Sequence, residues 1–173
     1  MTITEPALNT DGLTLRPWKA ADAAALTEIC RTSDMSETFL HDASTEDITA
    51  WLEVQAQGHA EGTRLAYAVL TADTGEVVGN VVLKRLEPGT RTAEVGYWTA
   101  GLMRGRGVAP RAVAALAEWA FATYGLEELE LFHGIDNVGS CRVAEKAGFA
   151  FVRELPPHQD FPRKGHLHVR REG

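Results

Sequence analysis

Cysteine is scarce: Cys30 and Cys141 are the only two in 173 residues, and they make no Cys-x-x-Cys redox or metal-ligand spacing. A disulfide-stapled secreted scaffold is therefore excluded, and a reducing, cytoplasmic setting is the expectation. No apolar run reaches the roughly 20 residues needed to span a bilayer. The first 11 residues are largely polar and lack the form of a secretory leader. Neither membrane insertion nor a membrane partner is expected. Internal repeats, low-complexity tracts and Pro/Gly/Ser-rich linkers are also missing, which predicts one domain over residues 12–173 behind a disordered extension at 1–11. Two nucleotide signatures are absent as well. There is no Gly-x-x-x-x-Gly-Lys-Ser/Thr loop, and no Gly-x-Gly-x-x-Gly opening a first strand-helix-strand unit.

What is present is a charge imbalance. Residues 20–76 carry eleven acids against Arg31 and Arg64, whereas residues 77–173 hold thirteen Lys/Arg against eleven acids. The net charge of −7 therefore comes from the N-terminal part. This disfavours nucleic acid and suits a cationic acceptor, either an amine or a basic peptide. Within residues 101–113 the sign reverses locally, with Arg104, Arg106 and Arg111 and no acid.

Those arginines frame Arg104-Gly105-Arg106-Gly107-Val108-Ala109, a Gly-rich turn between a strand-like Glu94-Val95-Gly96-Tyr97-Trp98-Thr99 and a long apolar helical pattern. A turn of this kind leaves the first amides of the helix without intrahelical partners. Together with the positive end of the helix dipole they make a site for a phosphate or pyrophosphate.

The periodicities alternate. Leu13 to Arg16 reads as a strand stopped by Pro17, residues 19–31 and 45–57 as helices, and Ser44-Thr45-Glu46-Asp47 as an N-terminal cap. Arg64–Leu70 and Glu76–Leu86 form a hairpin over Asp73-Thr74-Gly75, followed by a strand at 92–99 and a helix from Val108 to Tyr124 that ends at Gly125. A strand at 130–133, a helix at 138–147 and a strand at 149–155 follow. Gly165–Arg171 carries His166, His168 and Arg170 on one outer face and closes the sheet. The expected class is α/β, in three α/β/α layers around a mixed, mostly antiparallel sheet.

The turn is similar to the Arg/Gln-x-x-Gly-x-Gly/Ala signature of the GNAT superfamily of N-acetyltransferases. About 30 residues on, Asn137, Ser140, Lys146, Gly148 and Phe149 repeat the spacing of that family's second cofactor element. The Glu-Val-Gly-Tyr-Trp strand resembles the branch that acetylates ribosomal-protein N-termini. The resemblance covers roughly residues 12–155. It implies a sheet splayed at a cofactor cleft and acetyl-coenzyme A held by Arg104, Gly105, Arg106, Gly107, Val108 and Ala109. It also implies that the backbone of Tyr97, Trp98 and Thr99 receives the pantetheine arm, with Asn137 and Ser140 beside it. Arg142 and Lys146 either reach the cofactor phosphates or lie in water. Homodimers are common in the family, an expectation by analogy alone.

Acetyl transfer from a thioester needs a neutral amine, donors for the developing oxyanion and a stabilised leaving thiolate. Glu94 is the candidate base; the alternative is a glutamate paired with a cross-strand cation. Many members of the family place a tyrosine seven residues after the motif asparagine, where this chain has Ala144. Ser140 takes the place at the sulfur or else is an ordinary helix-start serine. The acceptor is expected to be a protein N-terminus, a polyamine or an aminoglycoside-like amine, and a non-catalytic acyl-coenzyme A sensor is the competing reading. No metal is expected. His41-Asp42 and Glu127-Glu128 read as solvated; His158, His166 and His168 could suggest a metal but read as an outer strand face; and Cys141 is either a thiol near the cofactor or a small buried side chain.

Overall fold

The computed structural model describes residues 7–35, 38, 40–157 and 162–173. Its eight strands are β1 (Leu8–Thr10), β2 (Leu13–Pro17), β3 (Leu65–Thr71), β4 (Val77–Lys84), β5 (Thr92–Thr99), β6 (Glu128–Gly134), β7 (Ala150–Leu155) and β8 (Gly165–Arg171). They form one sheet in the order β1-β2-β3-β4-β5-β6-β8-β7. Only β5 and β6 run parallel among these neighbours; every other pair is antiparallel. The helices are α1 (Ala23–Thr32), α2 (Thr45–Glu61), α3 (Val108–Tyr124) and α4 (Val138–Lys146).

Strand β3 shows why three layers form. Its Leu65, Tyr67 and Val69 point into a core with α3 and α4, where Val113, Leu116, Ala117 and Phe121 meet them. The alternate residues Ala66, Ala68 and Leu70 face α1 and α2. A sheet buried on both faces reads as a continuous apolar run, and β3 is buried along six of its seven residues. The alanines leave room on the α1/α2 face for Trp18, whose ring stands edge-on to Trp51 at 5.2 Å and tilted against Trp98 at 6.0 Å.

Local signals in the sequence set the helix ends. The Ser44 hydroxyl accepts from the Asp47 amide at 3.1 Å and the Asp47 carboxylate accepts from the Ser44 amide at 2.8 Å, a reciprocal cap for α2. The hydrophobic stripe of α3 runs to Tyr124, where Gly125 turns left-handed and ends it.

Four expectations are corrected. The N-terminal extension is not disordered throughout, because Leu8–Thr10 pair with Leu13–Leu15 as an edge strand; residues 1–6 lie outside the described residues. The last strand does not close the sheet: β8 inserts between β6 and β7, and β7 takes the edge. In consequence His168 is fully buried rather than on an outer face. His158 lies outside the described residues. Glu127 and Glu128 are not a bare turn, since they pair with Arg91 and Arg171, and Glu128 begins β6.

Candidate active site

Strands β5 and β6 pair only over Thr92–Glu94 against Glu128–Glu130, although β5 continues to Thr99 and β6 to Gly134. Each strand stays bound to its outer neighbour: β4 holds β5 as far as Thr99, and β8 holds β6 as far as Gly134. The sheet therefore opens as a V. The inner backbone groups of β5 beyond Glu94 lose their strand partner and face a cleft of about 880 Å³. A row of unpaired strand amides and carbonyls is suited to an amide-bearing arm laid alongside it.

One wall of the cleft is the start of α3. Gly107 is the N-cap residue at φ 74°, Gly105 lies at φ 77°, and no side chain caps the helix. The first-turn amides are thus left for a ligand, in a backbone conformation that glycine adopts without strain. Arg111 braces the turn from its carbonyl side, donating to the oxygens of Gly107 at 2.9 Å and Arg106 at 3.4 Å, and to that of Asp11. Arg104 donates to the Thr99 oxygen at 3.2 Å and to the Asp34 carbonyl, fastening the turn to the end of β5 and to the loop after α1.

The middle of the cleft is the start of α4. Asn137 caps it by accepting from the Ser140 amide at 3.1 Å. The Ser140 hydroxyl is buried and accepts from the Tyr97 phenol at 2.6 Å, so its own proton is available to a third group. Burial raises the Tyr97 pKa, which keeps the phenol a donor. Ala144, where a tyrosine was the alternative, is fully buried in the core beneath α4. The phenol bonded to Ser140 comes from β5, as Tyr97.

The opposite wall lies on the α1/α2 side of the sheet. Glu94 faces it with Oε1 2.7 Å from Lys84 Nζ and Oε2 3.2 Å from Arg85 Nε. Arg85 also reaches Glu130. The cross-strand pairing weighed from the sequence is therefore present, and it pins the carboxylate at the cleft. Nearby, the Trp98 indole N–H is buried without a hydrogen-bond partner among the described residues. Asn80 orients Trp18 through a 2.9 Å bond. Arg64 donates to Gln55 at 2.9 Å; burial lowers its pKa and Glu94 opposes that change.

Thirteen of the fourteen residues proposed from the sequence line this one cleft. The exception is Arg106, which is exposed and whose carbonyl accepts from Arg111. Sequence reasoning missed Trp51, Arg64, Asn80 and Lys84. They come from α2, the link into β3, and β4 and converge only in the fold, so no local signal marked them. His41 and Asp42 are exposed, as expected, and they also pair with each other.

The model of a family described as "Acetyltransferase (GNAT) domain" matches residues 12–150. The ribosomal-protein-serine acetyltransferase of Escherichia coli (strain K12) is 28% identical over 106 residues, which is 61% of this chain and 58% of that protein. The matched segment thus spans little more than half of that relative. Among solved structures, an acetyl transferase of Salmonella typhimurium described as modifying the N-terminal serine of 50S ribosomal subunit protein L7/L12 superposes with a TM-score of 0.86. It is 17% identical and covers 97% of this chain and 100% of that one. Mycobacterium smegmatis RimJ in complex with CoA-disulfide gives 0.81 at 21% identity, covering 96% of this chain and 86% of that one. At these identities the structural likeness establishes the fold.

Proposed function

This chain belongs to the GNAT acetyltransferase family, and from that premise we propose that it moves the acetyl group of acetyl-coenzyme A to the α-amine of a protein N-terminus. The observation that carries the reading is the V between β5 and β6, with an uncapped helix start and Ser140 on one side and Glu94 on the other. The acceptor class rests on the relatives' names and on the acidic charge of residues 20–76. The names favour a protein amine over a polyamine or aminoglycoside and an intracellular setting over a secreted one, while the acidic charge suits any cationic acceptor.

The residues fit the cofactor. A Cβ placed at Gly105 would meet nothing within 4 Å, so a diphosphate has open approach to the turn's backbone. Arg142 and Lys146 line the same cleft from the exposed side of α4. The amides of Gly105, Gly107, Val108 and Ala109 would hold the pyrophosphate. The unpaired backbone of Tyr97, Trp98 and Thr99 would hold the pantetheine arm. When bound, the cofactor supplies an acetyl thioester whose carbonyl is open to attack.

Glu94 takes up the proton of the arriving ammonium, directly or through a water. An α-amine has a reference pKa of about 8, so little base strength is needed near neutral pH. Lys84 and Arg85 keep the carboxylate in place rather than letting it swing into solvent. Attack occurs in a ternary complex, a reading supported by the two walls facing one opening. Ser140, fed by the Tyr97 phenol, donates its hydrogen bond to the departing sulfur. A thiol of pKa about 8.5 leaves readily as thiolate, so a hydroxyl that orients and solvates the sulfur is sufficient.

A thiol-release assay with acetyl-coenzyme A tests this against peptides with free and blocked N-termini, polyamines and aminoglycosides. Turnover on the free peptide only is the expected result. Turnover confined to small amines would overturn the acceptor class. Cofactor binding without turnover on any amine would favour a sensor.

A further inference from the structure

Insertion of β8 beside β6 brings four metal-ligating side chains together, none of them used in the acetyl-transfer scheme. His133 of β6, Cys141 of α4, and His166 and His168 of β8 place their ligand atoms within 4.8 Å of one another. His133 Nε2 lies 3.0 Å from His168 Nε2 and 3.2 Å from Cys141 Sγ, and Cys141 Sγ lies 3.4 Å from His166 Nδ1. Zinc–nitrogen bonds of about 2.0–2.1 Å and zinc–sulfur bonds of about 2.3 Å set tetrahedral edges of roughly 3.3–3.6 Å. The three observed separations are close to those edges.

With both imidazoles neutral, the proton count between His133 and His168 does not close without a metal cation. His133 Nδ1 is 2.7 Å from the Gly134 carbonyl and must donate to it, so its Nε2 presents a lone pair to the cluster. That lone pair faces His168 Nε2. If His168 carries its proton on Nε2, its Nδ1 is a buried acceptor with no partner; if on Nδ1, two lone pairs confront each other 3.0 Å apart. A central cation accepts both lone pairs. It leaves the Nδ1–H of His168 toward the Phe149 backbone, short of full hydrogen-bond geometry. Burial lowers the pKa of both His133 and His168, favouring the neutral, ligating form. Burial raises that of Cys141, with Glu145 adding to it, and metal coordination itself would drive off that proton.

We propose that His133, Cys141, His166 and His168 form a zinc(II) site that fastens the first turn of α4 to strands β6 and β8. Three imidazoles and one thiolate suit zinc and disfavour magnesium or calcium, which take oxygen ligands. With all four positions filled by protein the site is structural rather than catalytic. His133 and His168 form its buried floor, while Cys141 and His166 are half-buried and give the ion its way in. The Phe151 ring packs on both His166 and His168, at 5.0 and 5.7 Å, and shields the cluster. Binding replaces the Cys141 S–H by an S–Zn bond and releases that proton to solvent. The consequence reaches the cleft, because Cys141 adjoins Ser140 and His133 itself lines the opening.

The test uses the full chain without an affinity tag, stripped with a chelator. Titration with zinc should show one ion per chain, release of about one proton when calorimetry is repeated in buffers of different ionisation heat, and a higher Tm. Cobalt(II) in place of zinc should give tetrahedral d–d bands and a thiolate-to-cobalt charge-transfer band. Cys141→Ser should abolish that band, and Cys141→Ser and His166→Asn should each weaken zinc binding by more than the 10–100-fold typical of outer-shell changes. A parent protein that binds no zinc at micromolar concentration, or shows no charge-transfer band with cobalt, overturns the site. So does unchanged affinity in both folded variants. The cobalt spectrum of the parent decides the matter even if neither variant folds, and none of these readouts depends on acetyl transfer.

Discussion

The Tyr97 phenol donates to the Ser140 hydroxyl at 2.6 Å, joining β5 to the start of α4 across the gap where the sheet opens. Tyr97 arises from the cofactor-facing strand and Ser140 from the second motif, so the bond ties the two halves of the cleft. It also fixes the direction of the serine proton. With its oxygen occupied by the phenol, Ser140 points its own donor at whatever lies in the cleft. Ser140→Ala is expected to lower kcat by about 10- to 100-fold, since a hydrogen bond to a charged sulfur contributes about 1.5–3 kcal/mol. Tyr97→Phe should cost about fivefold, the equivalent of about 1 kcal/mol. Because Tyr97 acts through Ser140, adding Tyr97→Phe to Ser140→Ala should cost nothing further. Independent, additive losses in that double-mutant cycle would refute the relay.

Gly107 sits at φ 74° where α3 begins, and an added Cβ there has 3.9 Å to the nearest atom, Arg111 Nε. Space is therefore not the constraint; the left-handed backbone is. Gly107→Ala should cost about 1–2 kcal/mol, or a Tm loss of a few degrees. Any relaxation of φ turns the first-turn amides away from the cleft. The KM for acetyl-coenzyme A should rise while kcat at saturation stays near the parent value. An unchanged KM in steady-state kinetics would mean that these amides do not carry the cofactor.

These positions show which parts of the site are legible in sequence. Local devices are. The Ser44 cap, the end of α3 at Gly125 and the glycine turn at 105–107 each need only neighbours in the chain, and each was found where the spacing placed it. The walls of the acceptor side are not. Trp51, Asn80, Arg64 and Lys84 meet because β3 and β4 are adjacent and α2 lies over them, a matter of tertiary packing rather than pattern. His168 is the clearest failure. The alternation of His166, His168 and Arg170 reads as a polar face, but β8 lies between two strands, and its His168 contacts His133 from 35 positions away. Strand order decided its burial, and strand order leaves no local trace.

The turn from β2 into α1 depends on a partly buried ion pair. Arg16 forms a two-bonded contact with Asp22 at 2.9 Å each, and Asp22 also accepts from the Lys19 amide at 2.8 Å. Desolvation by burial opposes ionisation of Asp22, but the Arg16 and Lys19 hydrogen bonds outweigh it, and the folded pKa lies below the usual value. A depressed folded pKa contributes stability that is fully present above the unfolded value of about 3.9 and is lost as pH falls through the folded one. Asp22→Asn should therefore cost about 1–3 kcal/mol near neutral pH. The gap between parent and variant in urea unfolding should close below about pH 3.9. A gap that stays constant into acid would show that the pair's charge is not what stabilises the turn.

Glu94 carries the sharpest functional test because its geometry admits two roles. Lys84 and Arg85 hold it at 2.7 and 3.2 Å, which a purely structural carboxylate would also show. The two roles separate in kinetics. As the proton acceptor, Glu94→Gln should lower kcat by about 10²–10⁴-fold at neutral pH while acetyl-coenzyme A binding, measured by calorimetry, is kept. The glutamine still fills the site, so a loss of turnover without loss of fold or binding isolates the proton transfer. The variant then relies on amine that is already neutral. Its rate should climb as pH rises toward the acceptor's pKa of about 8 and level off above it, narrowing the difference from the parent. A structural Glu94 predicts the opposite pattern: a deficit that does not vary with pH and a lowered Tm. A pH–rate profile of the two proteins on one peptide acceptor distinguishes these outcomes.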